Sequence, residues 1–180
     1  MSVLHILVVT GASGAGKTST VRALEVRAIP GVRCYYFDSI GVPTAEVIKR
    51  EFGGSEKWQA AATTKWLKRL SGLSEDMRIA VLEGQTRPSF VFRAARLARV
   101  TAHVVLLDCL SDVRAARLRG SRQQPELANV RMNRWATFLR GQAHALDLPI
   151  IDTSLLTVTE AAEQLEAIVR GLIESDAPAA

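Results

Sequence analysis

The chain has 180 residues, 48% hydrophobic and 23% charged, with two cysteines and a net charge of +5. That length favours one compact domain, and two cysteines rule out a disulfide framework or a metal-binding cysteine cluster. No run approaches the ~20 apolar residues that a bilayer span requires, so a soluble, cytoplasmic protein whose surface attracts anions is expected.

Short apolar runs alternate with longer helical patterns, the signature of a parallel sheet wrapped by helices. Strands are expected at Val3–Thr10, Arg33–Asp38, Ile79–Glu83, Ala102–Asp108 and Pro149–Asp152. Lys17–Ala28 reads as a helix after the first strand. Thr44–Phe52 and Ser55–Leu70 read as a helical insertion, about 40–76, before the third strand. On the second of these, Trp58 and Trp66 share a face and are expected to pack rather than hold a ligand. Val158, Ala162, Leu165, Ile168, Val169 and Leu172 form one apolar stripe, which predicts a last helix packed on the sheet. One domain over 1–174 is expected, with a flexible tail at 175–180. Cys34 and Cys109 lie in apolar runs and are expected as buried free thiols. Asp38, Glu83 and Asp108 close their strands, and open α/β sheets gather ligands at the carboxyl ends of strands.

Gly11-Ala12-Ser13-Gly14-Ala15-Gly16-Lys17-Thr18 fits G-x-x-x-x-G-K-[ST] at every position, between a strand and a helix. Glycines let successive backbone N–H groups converge on phosphate oxygens, and the helix N-terminus adds partial positive charge. Lys17 is expected to reach the β- and γ-phosphates of ATP and Thr18 to ligate Mg²⁺, with Ser19 next to them also expected to bind the nucleotide. No N-K-x-D base-recognition segment of the GTPase type is present. Between Arg87 and Arg140 stand eleven arginines, no lysine and only three acids (Asp108, Asp112, Glu126). Arginine forks suit the charge of a transferring phosphoryl group. Nucleic acid is the less favoured partner, since aromatics make up only 6% and no RNA-binding motif occurs.

With these residues the sequence resembles the P-loop nucleotide and metabolite kinases, the adenylate kinase-like and shikimate kinase-like small kinases. Leu82-Glu83-Gly84-Gln85-Thr86-Arg87 is similar to the family's D-G-x-P-R segment. Asp112–Arg122 resembles the helix entering the lid, with its R-x-x-G-x-R pattern. Asn133–Phe138 is similar to the R-L-x-x-Y after the lid, and Ile150-Ile151-Asp152-Thr153 to the last strand and its turn near the adenine. The resemblance implies a three-layer α/β/α fold with a five-stranded parallel sheet, an acceptor-binding helical insertion and a lid. It implies that Arg117 lies against adenine or phosphates, with Asp152 and Thr153 nearby. It further implies that Arg122 reaches the transferring phosphoryl, Arg134 closes over it, Arg87 contacts acceptor or phosphates, and Glu83 holds Mg²⁺ through water.

The sequence departs from the family in two places. The lid, about 120–133, is short and lacks the D-D-N run of short-lid monophosphate kinases. The segment after the second strand, Phe37-Asp38-Ser39-Ile40-Gly41-Val42-Pro43, carries an acid where monophosphate kinases place an arginine. A phosphate acceptor mainly needs cations, whereas an alcohol gains from a carboxylate that takes its proton. Shikimate, gluconate and antibiotic kinases use an acid in this region. Asp38 therefore points to a hydroxyl-bearing metabolite or nucleoside as acceptor, with two other readings open: an N-cap for the next helix, or a carboxylate on Mg²⁺ through water. A nucleoside monophosphate kinase is the alternative, and an ATP-binding regulator or nucleic-acid adaptor the alternative of another class.

Overall fold

The structure, a computed structural model, describes residues 4–73 and 76–175. Val3 of the expected first strand, positions 74 and 75 of the insertion and residues 176–180 of the expected tail lie outside the described residues. Strand β1 (His5–Thr10) is buried along its whole length. It reads as a continuous apolar run because strands flank both its edges and helices cover both its faces. The sheet order is β2 (Val32–Tyr36), β3 (Ile79–Glu83), β1, β4 (Thr101–Asp108), β5 (Ile150–Asp152), and every pairing is parallel.

The helices are α1 (Lys17–Val26), α2 (Ala45–Val47), α3 (Ser55–Leu70), α4 (Pro88–Ala98), α5 (Ser111–Arg119), α6 (Val130–Ala145) and α7 (Val158–Ser175). Alternation along the strands divides them into two layers. Leu7, Val9, Val81 and Leu107 pack with Val21 and Leu24 of α1 and with Leu165 and Val169 of α7. Ile6, Val8, Ala80 and Leu82 pack with Trp66 and Leu67 of α3 and Val91 and Ala94 of α4. Helix α6 docks Leu139 and Ala143 on Leu106 of β4. This is the expected three-layer architecture. Among the described residues no helix is long and apolar enough to cross a membrane.

Several elements differ from the sequence reading. Strand β2 stops at Tyr36, and Phe37–Ile40 forms a 3₁₀ turn, so Asp38 stands in a turn rather than at a strand end. The Trp66 indole holds that turn by donating to the Phe37 carbonyl at 3.0 Å. Helix α2 runs into a π-helical turn, Ile48–Phe52, and its N-cap is Thr44, whose hydroxyl accepts from the Val47 amide at 3.4 Å. The N-cap reading of Asp38 is thereby excluded. Helix α1 ends two residues early, and Val158 at the start of the α7 stripe is 48% exposed. Residues 88–98, to which the sequence reading assigns no element, form α4. Pro88 at its first turn and Val91, Ala94 and Ala95 on one face are the signals that identify it. Cys34 and Cys109 are both free, Cys109 buried and Cys34 only half-buried.

Candidate active site

The crevice lies at the carboxyl ends of the strands, where the chain leaves β1 between β3 on one side and β4 on the other. The glycine loop turns there under steric compulsion. A Cβ at Gly11 would stand 2.2 Å from the Leu107 carbonyl oxygen, and one at Gly14 2.7 Å from Cγ of Arg114. Gly14 and Gly16 also adopt left-handed backbone, at φ 85° and 91°. Gly11, Ala12, Gly14 and Ala15 are buried, Ser13, Gly16 and Thr18 half-buried, and Ser19 is exposed.

Lys17 is buried and folds back over the loop, donating to the Ala12 carbonyl at 3.2 Å. An ammonium carries three donors, so one neutral carbonyl leaves it underused and receptive to phosphate oxygens. Burial is the main cause of its lowered pKa and the Arg122 charge adds to it, while Glu83 and Asp38 oppose the shift. The Thr18 hydroxyl donates to Oε1 of Glu83 at 3.3 Å. Burial holds the Glu83 carboxyl above the usual carboxylate range; Lys17, Thr18 and Arg122 pull it down, and the Asp38 charge pushes it up. Lys17, Thr18, Glu83, Asp38 and Arg122 thus act on one another within one cluster. The exposed Asp38 carboxylate makes no hydrogen bond or ion pair among the described residues. One hydroxyl and one carboxylate suit an ion such as Mg²⁺, which keeps several waters and leans on substrate phosphates.

The segment after β3 is fixed by hydroxyls. Thr10 donates to the Thr86 carbonyl at 2.6 Å and accepts from the Thr86 amide, and the Thr63 and Thr86 hydroxyls meet at 2.7 Å. Ser13 of the glycine loop donates to the Gln85 side chain at 3.1 Å, and Gln59 donates to the Gln85 carbonyl at 2.9 Å. Arg87 is already engaged: it donates to Gln59 at 2.7 Å and to Glu56 at 3.1 Å. Its guanidinium lies 5.1, 4.9 and 5.5 Å from the ring centres of Phe90, Trp135 and Phe138.

The other arginines divide into structural and exposed ones. Arg117 donates to the hydroxyl and carbonyl of Thr153 at 2.9 and 2.6 Å, and the buried Thr153 hydroxyl lies 3.0 Å from the Ala15 carbonyl. Arg117 and Thr153 are therefore together against the glycine loop. Asp152 is held by the amide and hydroxyl of Ser154, which keep its carboxyl below the usual range. Arg114, only 2% exposed, bridges the Cys109 carbonyl and the Asn133 side chain. Arg140 pairs with Asp108 at 2.5 Å, so the third strand-end acid anchors α6. Gln59, Arg114 and Arg140 are absent from the site expected on sequence. Their partners lie 26, 19 and 32 residues away, beyond any local pattern.

Beside this cluster opens a cavity of about 660 Å³ between the turn after β2, α3, the segment after β3, the segment between α5 and α6, and α6. Asp38, Arg87 and Arg134 all line it, as does the half-buried Trp58, which also packs against the core cluster as expected. Arg134 is exposed and without a hydrogen bond or ion pair among the described residues. A smaller hollow of about 200 Å³ beside β2 lies apart from these groups.

No family model matches the sequence, and no curated protein matches it significantly. The fold does match solved structures over nearly its whole length. The tunicamycin resistance protein of Deinococcus radiodurans matches at a TM-score of 0.65 and 20% identity, covering 94% of this chain and 96% of its own. A gluconokinase from Sinorhizobium meliloti matches at 0.61 and 17%, covering 98% and 95%. Shikimate kinase from Acinetobacter baumannii, solved in complex with shikimate, matches at 0.56 and 17%, covering 94% of each chain. The chain has the fold of the P-loop small kinases.

Proposed function

We propose that the protein transfers the γ-phosphoryl group of ATP-Mg²⁺ to an alcohol hydroxyl of a small molecule. One observation carries this reading: an unpaired carboxylate, Asp38, stands in the same charge cluster as the Lys17–Thr18 loop and lines the adjoining cavity. The likeness to a gluconokinase and a shikimate kinase, whose acceptors carry hydroxyls, supports it.

In this scheme the loop amides from Gly11 to Gly16 and the Lys17 ammonium hold the triphosphate. Thr18 directly and Glu83 through water would hold Mg²⁺, which would supply positive charge against the triphosphate. Arg117 and Thr153 flank the nucleotide beside the loop, with Asp152 in the same turn. Asp38 orients the acceptor hydroxyl and receives its proton as the oxygen bonds to the γ-phosphorus. The bond from that phosphorus to the β–γ bridging oxygen breaks, and ADP leaves with the electron pair. Arg122 and Arg134 meet the charge spread over the phosphoryl oxygens. A nucleoside monophosphate acceptor is the weaker reading, because Arg87, expected against acceptor or phosphates, is already engaged by Glu56 and Gln59.

The test is transfer of labelled γ-phosphate from ATP to a panel of alcohols and of nucleoside monophosphates, with Asp38→Asn as control. Labelled phosphate esters of alcohols are expected, lost in the variant. Labelling of monophosphates alone, undiminished by Asp38→Asn, contradicts the proposal.

A further inference from the structure

We infer that the acceptor is an uncharged alcohol carried on a planar unsaturated ring system, such as a nucleobase or an aryl group, rather than a small polyol or sugar acid. The inference rests on the alcohol-kinase reading and deepens it. Three features of the cavity carry it.

First, the cavity's size exceeds what a six-carbon polyol fills. Its volume of about 660 Å³ falls in the range of sites that enclose ligands of roughly drug size. Second, rings form part of its wall, among polar and charged side chains. Trp58 enters from α3, and Trp135 and Phe138 enter from α6, where they stack on each other at 5.4 Å and 18°. Trp58 is braced edge-on by Phe37 at 6.2 Å and 82°, next to Asp38 in the chain. Phe138 is 42% exposed, so its ring is accessible from the cavity that it lines. A planar ring gains stacking area against these rings that a polyol cannot. Third, the cation that lies over these rings is already engaged. Arg87 donates to Glu56 and Gln59 and lies over Phe90, Trp135 and Phe138. The unpaired cations on this wall, Arg131 and Arg134, sit in the first two turns of α6, on the side of the lid. Polar groups for hydroxyls or ring nitrogens remain in the Ser55 hydroxyl and the side-chain amide nitrogen of Gln85, neither hydrogen-bonded among the described residues.

The experiment measures phosphoryl transfer from labelled ATP to four groups of acceptors in parallel: nucleosides, aryl-bearing alcohols, linear polyols and sugar acids. Wild-type protein is compared with Trp58→Ala and Trp58→Phe. The expected result is esterification of ring-bearing alcohols, with the first two arms deciding between nucleobase and aryl group. Trp58→Ala should raise KM for the ring-bearing acceptor about tenfold, the size of one ring stack, with kcat less affected. Trp58→Phe should restore most of the loss, which a merely structural defect in the alanine variant would not explain. Transfer to polyols or sugar acids alone overturns the inference and leaves the alcohol-kinase reading standing. Ring-bearing acceptors with a KM unmoved by Trp58→Ala also overturn it. Absence of transfer in all four arms overturns both.

Discussion

Gly84 and Phe37 are in such close contact that a Cβ built on Gly84 would stand 2.3 Å from the Phe37 Cβ. The register of β2 on β3 sets Tyr36 opposite Glu83, so the next residues on each strand, Phe37 and Gly84, meet where the strands end. Closing that gap brings Asp38 into the charge field of Glu83 and Lys17. Gly84 is the residue that permits it.

Gly84→Ala should therefore cost stability and activity together. Overpacking of this kind costs roughly 1–3 kcal/mol, readable as a lower denaturant midpoint at unchanged slope. Transfer should fall further than stability does, because the Phe37–Ile40 turn and its carboxylate are pushed off the cluster. Undiminished kcat in a destabilised Gly84→Ala protein would separate the turn from the chemistry.

Asp38→Asn should leave the fold intact, since the side chain is exposed and makes no hydrogen bond or ion pair among the described residues. Removal of a general base lowers kcat by about 10²- to 10⁴-fold. Nucleotide affinity should stay within a few-fold of the wild-type value, measured by titration without acceptor. The split between kcat and affinity is the diagnostic quantity.

The shifted groups also set the pH dependence of ATP-Mg²⁺ binding. Glu83 is held above the usual carboxylate range and Lys17 below the usual ammonium range, in both cases chiefly by burial. The bound metal favours ionised Glu83, so binding should release protons and weaken as pH falls through the raised Glu83 pKa. The phosphates favour charged Lys17, so binding should take up protons and weaken as pH rises through its lowered pKa. A weakly buffered solution with an indicator dye reads both signs. For the unliganded fold, a raised carboxyl pKa stabilises at low pH and that contribution is lost as pH rises through the folded value. The thermal midpoint of Glu83→Gln relative to wild type should accordingly improve as pH rises.

Arg114 joins the glycine loop to α6, and its guanidinium bond to Asn133 is the joint. Asn133→Leu should leave a buried donor unsatisfied at a cost of about 1–3 kcal/mol. KM for ATP should rise as well, because the loop wall at Gly14 loosens. A variant with reduced stability and an unaltered KM would restrict Arg114 to packing.

The placement of the glycine loop between β1 and α1 is legible in the sequence because its pattern spans eight contiguous residues after a strand, and burial of β1 makes that strand a plain apolar run. The termini of β3 and the whole of α3 were legible for similar local reasons. Asp38 was found but assigned to a strand, since the 3₁₀ turn that carries it depends on Gly84 and on the Trp66 indole, 29 residues away. The arginine-rich half was visible only as a charge excess. Which of its members are anchored, as Arg87, Arg114 and Arg140 are, and which face the cavity, as Arg134 does, depends on partners from other elements. The cavity with its rings is illegible for the same reason: Trp58 and Trp135 come from α3 and α6, with β3, α4, β4 and α5 between them in sequence, and no spacing rule connects them.

The most direct test of the whole account is a calorimetric titration of ATP with Mg²⁺ into the wild-type protein and into Lys17→Ala. One saturable site per chain is predicted for the wild type, with binding lost or severely weakened in the variant although its circular dichroism spectrum is unchanged. Absence of binding heat in the wild type, or equal affinity in Lys17→Ala, would contradict it.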